Sequence, residues 1–465
     1  MKRLQVLIIG IVSLFVASVA AVSAATFGVD TTSDVSAQSA CTASANDCSL
    51  RGAIDRADAN PGPDTIDFAS PFFDTARTIN LDRRLTISTD LTITGRGARL
   101  LTIRRGGSTG FRIFNIISGT IDISGMTITN GSDGNAGGIS NDGTLTLTDV
   151  AVTGNTGITS GGGISSSGTL NILNSTISGN NARFLGGGIF VSAGTTNIIN
   201  STVSNNSSGN ALGGGGAGGI DSAGTLNLTN VTITNNSTAS GASGGVSVQV
   251  GTAATIKNTI VAANVSNTTN PDVSGAFTSQ GYNLVGNAGN ATGFTQATDQ
   301  KGTSATPLDA KLGALANNGG MTDTHALLAG SPAIDKGFSF GSNIDQRGFL
   351  RPADHLTIPN AILGDGSDIG ACEVQLATAA TVSLSGRVTT QSGRGIMNVR
   401  LTLTDSNGEV RTTGTASFGY YRFDDVQAGQ TVIITAKAKR FNFTPSSVVR
   451  TTNESVTDAD FISEQ

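Results

Sequence analysis

Between Gly143 and Pro271 the chain carries four charged side chains, Asp149, Arg183, Asp221 and Lys257. That scarcity bears directly on chemistry. Glycoside hydrolysis needs two carboxylates about 5 to 9.5 Å apart, and a polysaccharide lyase needs an acidic calcium site with an Arg or Lys base. This stretch offers neither. Acids gather on either side of it: Asp122, Asp133 and Asp142 fall close together, and Asp365, Asp368 and Glu373 lie in or beside DGSDIGACE. Either group supplies the hard oxygen ligands that calcium takes, though without EF-hand spacing, and solvated turn carboxylates are the competing reading. No other cofactor is expected. The two histidines, His325 and His355, are too few for a metal site or triad and are expected to pack against the end of the fold. Gly-rich runs such as GGGGAGG lack the Lys-Ser/Thr of a phosphate loop and read as corners. No catalytic, cofactor-binding or metal residue is assigned.

The elements that hold these residues repeat. Units opening with Gly at 119, 143, 168, 194, 224 and 251 follow one another at steps of 24, 25, 26, 30 and 27 residues, a period that signals a solenoid. Within a unit, apolar residues stand at the third, fifth and tenth positions, and a Gly-Gly pair followed by Ile or Val closes it. Three short strands per turn fit this pattern. Stacking the units gives inward columns Ile121, Leu145, Leu170, Thr196, Leu226 and Ile123, Leu147, Ile172, Ile198, Leu228. A second strand contributes Ile128, Val152, Ile177, Val203, Ile233 and Ile260, and a third Ile139, Ile164, Ile189, Ile220 and Val246.

Two turn positions repeat as well. Asp149, Asn174, Asn200, Asn230 and Asn258 share one, and Asn155, Asn180, Asn206 and Asn236 share another. Asn and Asp tolerate left-handed backbone and bond locally, so each set is expected to stack as a polar ladder. Asparagine ladders of this kind resemble those of right-handed parallel β-helices over about 119 to 267. Strand-like text upstream supplies earlier coils. On the second strand the flanking pairs Thr127/Thr129, Ala151/Thr153, Thr176/Ser178, Thr202/Ser204 and Thr232/Thr234 form an outward hydroxyl array by alternation, similar to arrays on ice-binding solenoids. Thr is also simply a good strand residue.

The chain opens with MKR, an apolar run from Leu7 to Ala21 and Val-Ser-Ala, the layout of a secretory signal peptide over 1–25. Export implies oxidising conditions, under which Cys41 and Cys48 in CTASANDC are expected to form a disulfide, the alternative being two free thiols. A net charge of −5 argues against nucleic acid and anionic membrane as partners, and no other segment is apolar enough to span a bilayer.

Two motif sets carry family resemblances. Cys48-Ser49-Leu50-Arg51-Gly52-Ala53 resembles the CSLREA motif of secreted bacterial β-helix proteins, with Gly52 where Glu is usual, which weakens any helix there. PLDAKLGALANNGGMTDTHALLAGSPAIDKG (307–337), DQRGFLRP (345–352) and DIGACE (368–373) resemble the end of the choice-of-anchor Q domain, which implies export and a β-helix more than an activity. The segment from Val382, with Ser385-Gly386-Arg387-Val388, a D-S-N-G hairpin signal and Gly419-Tyr420-Tyr421-Arg422-Phe423, resembles the carboxypeptidase regulatory-like domain, a small β-sandwich without peptidase chemistry.

The organisation expected is therefore all-β: a signal peptide at 1–25, a right-handed parallel β-helix at 26–373 with a cap region near 41–75 and a family-specific segment near 280–373, a linker at 374–381, and a β-sandwich at 382–465. The function expected is a non-catalytic, adhesin-like or glycan-contacting protein, secreted or held at the cell surface or outer membrane. Its partner is an extracellular polysaccharide or surface protein, met through loops at 131–138, 207–217 and 237–243. The competing readings are a polysaccharide lyase or glycoside hydrolase, favoured by fold analogy, and an ice-binding protein.

Overall fold

A computed structural model of the chain describes residues 24–209, 216–240, 242–252, 254–267, 270–375, 381–405, 408–428, 431–452 and 455–464. Most of the expected signal peptide, the centre of the linker, and residues 210–215 and 241 of two expected contact loops lie outside these. The chain divides into two compact units at Val374/Gln375. No helix among the described residues is long and apolar enough to cross a membrane.

The first unit is a parallel β-helix. One column of strands stacks eight deep, from Leu85–Ile87 to Val273–Ser274, with every pairing parallel. Its inward residues Ile139, Ile164, Ile189, Ile220 and Val246 pair coil to coil. All are fully buried, and adjacent coils sit about 4.8 Å apart. The first and second strands of each turn belong to one 18-stranded sheet, bent where the chain passes Asp149, Asn174, Asn200, Asn230 and Asn258. Each of these five residues has positive φ, and Gly125 holds the same position one coil earlier. The left-handed corner is therefore why Asn, Asp or Gly recurs there. A fourth strand of two residues, such as Thr156–Gly157, adds a six-stranded sheet that three strands per turn had not anticipated.

Register departs from expectation in the last regular coil. Val261, not Ile260, pairs with Ile233, while Ile260 pairs with Thr232 and faces outward. One extra residue follows Gly251, so Ala254 rather than the third residue of the unit pairs with Leu226. Outward-facing Ile260 is nonetheless fully buried, in a small separate core with Ala262, Leu284, Ala310, Ala333 and Ile369.

The Gly-Gly pair before each third strand is a steric requirement. A Cβ on Gly163 would lie 2.7 Å from the Gly188 carbonyl oxygen and 3.0 Å from Asn180 Nδ2. Backbone of the next coil and the buried asparagine ladder leave no room for a side chain.

At the N-terminal end, helix Leu50–Ala59 buries Leu50, Ala53, Ile54 and Ala57 in the main core. Ser49 caps it by accepting from Gly52 N–H at 3.0 Å. Gly52 does not prevent this helix from forming. A Cβ there would meet the Gln38 carbonyl oxygen at 2.2 Å, so the close approach of the 38–39 backbone requires glycine. Arg51, nearly fully buried, donates Nε and Nη2 to the Asp34 carboxylate at 2.8 Å each and its Nη groups to the carbonyls of Arg83 and Arg84. Cys41 and Cys48 are joined by a disulfide.

In the second unit a three-stranded and a four-stranded sheet share one core, with Leu384, Val388, Tyr421 and Phe423 on one side and Leu401, Leu403, Val432 and Ile434 on the other. It is a small β-sandwich.

Candidate functional site

Two outward faces of the solenoid carry periodic polar columns, and they meet different fates. The hydroxyl pairs of the second strand are open only in the early coils. Thr176, Thr202, Ser204, Thr232 and Thr234 are buried. The segment from about 307 to 373 lies over them. Gln346 Nε2 donates to Thr176 Oγ1 at 2.9 Å, and its Oε1 accepts from Thr202 Oγ1 at 2.6 Å. Ala371 N–H donates to Thr232 Oγ1 at 3.0 Å. His325 takes Ser204: Nε2 and the Ser204 hydroxyl are 2.7 Å apart, while Nδ1 is 2.7 Å from the Gly313 carbonyl, which assigns the proton to Nδ1. Burial pushes the His325 pKa down, only partly offset by the Gly313 carbonyl. The array that motivates an ice-binding reading is thus, from Thr176 onward, a docking strip for the chain's own later segment, and His325 packs on the flank of the solenoid, not its end.

The first turn column serves the same docking and is not a continuous ladder. Within it, Asn258 Nδ2 donates to Asn230 Oδ1 at 2.9 Å, but Asn200 turns to Ser342 Oγ and the Ile344 carbonyl. Asn258 also donates to the Asp368 carbonyl and accepts from Phe338 N–H. Asn174 offers its backbone carbonyl to Thr322 Oγ1 at 3.0 Å. The second column, by contrast, is a one-way chain. Asn155, Asn180, Asn206 and Asn236 each donate Nδ2 to the Oδ1 of the next coil at 2.9 to 3.0 Å, continuing to Asn264. Each also donates back to a carbonyl one coil earlier, as Asn180 does to Val152. All five are buried.

The acids at the two ends are structural in placement. Asp122 points outward from its strand, Asp133 pairs with Arg112 at 2.8 Å, and Asp142 accepts from Ser167 Oγ. They lie on separate faces of the coil. Asp365 accepts from Ser339 and Ser367 N–H groups; burial pushes its pKa up, but these bonds outweigh that and hold it low. Asp368 and Glu373 are buried, each pushed up by burial and drawn back by the Arg351 charge. Arg351 Nε lies 3.0 Å from Glu373 Oε2, with both side chains fully buried. Arg347 Nε reaches Asp345 Oδ2 at 2.9 Å, and that same oxygen accepts from Glu373 N–H. The DQRGFLRP and DIGACE stretches therefore knit to each other. His355 donates its backbone N–H to Asp335. Cys372 is buried, its thiol pushed up to about 11 by burial. No cluster of three His, Cys, Asp or Glu side chains able to hold a metal occurs among the described residues.

Asp221 stands apart. It is fully buried on the outward side of its strand, and burial pushes its carboxyl up to about 7. Neither oxygen has a well-directed hydrogen bond; the Ser247 and Gln249 side chains nearby offset part of the cost.

The face that stays open is that of the first strand. Thr120, Thr144, Thr169, Thr195 and Thr225 stand in register as one solvent-accessible column. Beside it runs a half-buried asparagine ladder: Asn197 Nδ2 donates to Asn171 Oδ1 at 2.8 Å and Asn227 Nδ2 to Asn197 Oδ1 at 2.9 Å. From Thr144 to Thr229 these strand faces carry no charge. The sequence signal is Thr at the second position of successive units and Asn at the fourth in those opening at 168, 194 and 224, polar positions that an apolar period does not mark.

No curated protein matches the chain. Residues 383–463, nearly the whole of the second unit, match the carboxypeptidase regulatory-like domain.

Proposed function

We propose that the protein is an extracellular, non-catalytic β-helix protein that contacts a polysaccharide, or a glycan-bearing surface, through the open face of its first strands. The observation that carries this reading is the Asn171–Asn197–Asn227 ladder beside its threonine column. Amides and hydroxyls repeat there about every 4.8 Å along the stack, and the amides are already oriented by their copies on the next coil, so little of their side-chain entropy is lost when a partner binds. An uncharged grid that both donates and accepts suits sugar hydroxyls. The Cys41–Cys48 disulfide and the signal-peptide layout of the N-terminus support location outside the cytoplasm.

The test is incubation of purified protein with neutral and acidic polysaccharides, with and without calcium, recording retained protein and new reducing or unsaturated ends. Retention on neutral polysaccharide without cleavage, lost in an Asn197→Lys variant that breaks the ladder and adds a charge to the grid, is expected. New chain ends would overturn the reading in favour of the carbohydrate-active enzyme, and unchanged retention of that variant on neutral polysaccharide would overturn the assignment to this face.

A further inference from the structure

The four-stranded sheet of the second unit, Arg400–Thr404, Val410–Gly414, Thr431–Lys437 and Ser447–Thr451, contains four basic residues and no Asp or Glu. The whole unit is close to neutral, with nine Lys and Arg against eight Asp and Glu from 375 to 465. The charge is therefore local, not a property of the domain. At one end of this sheet Arg400 and Lys437 are direct cross-strand partners in the antiparallel pairing. On its other side Arg400 faces Gly414, which has no side chain to answer it. Like charges directly opposite one another on a sheet are destabilising, and both side chains are exposed. Lys439 and Arg440 follow within three residues at the same end. None of the four is ion-paired among the described residues.

These cations line a groove of about 630 Å³, within the size of sites that hold small molecules or short chain segments. Its apolar surface comes from Ile396, Met397, Ala438 and Phe441. Ile396 is buried, but Met397 is more than half exposed. The concavity thus joins an apolar wall to a cluster of uncompensated positive charge.

We propose that this groove binds a stretch of polyuronate, an acidic polysaccharide with one carboxylate per sugar. The carboxylates would sit between Arg400 and Lys437, where one anion relieves the like-charge contact, with Arg supplying the forked donor geometry that carboxylates fit. The C–H faces of the sugar rings would cover Met397 and Phe441. A heavily sulfated chain leaves less bare ring to cover them, and an anionic membrane calls for a broad basic surface in place of a concave one. The proposal is independent of the solenoid face, which is uncharged and lies on the other unit.

The experiment is calorimetric titration of the full chain with oligogalacturonate, neutral dextran oligomers, heparin oligomers and phosphatidylserine vesicles at low and moderate salt. Binding of oligogalacturonate that weakens with salt, and falls at least tenfold in an Arg400→Gln/Lys437→Gln double variant of unchanged melting temperature, is the expected result. The same affinity in the double variant, preference for heparin or vesicles, or no binding at low salt would each overturn it. The Asn197→Lys variant separates the two sites, since it should leave oligogalacturonate binding at this groove intact.

Discussion

Asn264 donates both its backbone N–H and its side-chain amide to one carboxylate oxygen of Asp272, each at 2.9 Å, while the other oxygen accepts from Asn287 N–H at 2.7 Å. Every amide in the buried ladder points the same way, so the last one needs a partner that only accepts. A carboxylate is that partner. Asp272 stands where earlier coils have the second Gly of the Gly-Gly pair, since Val273 pairs with Val246.

Asp272→Ala should leave the buried backbone N–H groups of Asn264 and Asn287 without acceptors, at about 1 to 3 kcal/mol each before relaxation, and strip the Asn264 amide of one of its bonds. Stacked coils unfold from their ends more readily than as a block. Amide hydrogen exchange should therefore accelerate first around 254–287, with Asp272→Asn milder than Ala. Uniform protection in the alanine variant would refute the capping role.

Asp221 gives the solenoid a pH dependence of definite sign. Its folded value, about 7, lies above the ordinary carboxylate value, so its contribution is fully present near pH 4 and is lost as pH rises to about 7. Asp221→Asn should raise stability at pH 8 by on the order of 2 kcal/mol and flatten that slope. Thermal melts from pH 4 to 8 would check it, and an unchanged slope would count against a protonated Asp221.

His325 acts in the opposite sense and locally. Its pKa is depressed by burial, so the contribution of the neutral ring is present above its unfolded value near 6.5 and is lost as pH falls through that range toward the lower folded value. The 307–373 segment should become more susceptible to limited proteolysis at pH 5 than at pH 7.5, and His325→Gln should remove most of the difference. Equal cleavage of the wild-type chain at both values would rule this out.

Gln346 touches Thr176, Thr202 and Thr322 at once. Gln346→Ala should cost about 2 kcal/mol by leaving buried hydroxyls unpaired. The change should appear as faster proteolysis of the covering segment, with the coil core still protected.

Gly163→Ala tests the stacking itself. The added methyl would meet both a carbonyl and the ladder amide of the next coil, and an overpacked core of this kind typically costs about 1 to 3 kcal/mol. A Gly134→Ala control, where a Cβ meets nothing within 4 Å, should be near neutral; similar melting temperatures for the two would argue against the steric account.

Much of the coil interior was legible because each inward position repeats on its own copy. Leu145, Leu170 and Leu226 need only a period and an alternation to be placed. Register follows the corner asparagine and not the glycine that opens a unit: Asn258 plus three gives Val261, as Asn230 plus three gives Ile233. Asn264 belongs to the unit with the extra residue, and Asp272 lies only eight residues further on, so neither falls on the period counted from glycine. The burial of Thr202 and Ser204 was not legible at all, since their partners Gln346 and His325 stand more than 120 residues away with no period linking them.

The direction of the buried amide chain also constrains how such a protein can lengthen. It begins where Gly131 N–H donates to Asn155 Oδ1 and ends on a carboxylate that donates nothing onward, so the stack has a head and a tail. A duplicated turn inserted between Asn155 and Asn264 meets an acceptor on one side and a donor on the other, and is accommodated without altering its neighbours. Beyond Asp272 the sheet continues, with Leu284–Val285 on Ile260–Val261 and Gln300–Lys301 on Leu284–Val285, but the buried amide chain does not run on into those strands. Insertion or removal of a whole turn is therefore least disruptive in the middle of the stack, between the helix-capped start and the acid that closes the amide chain.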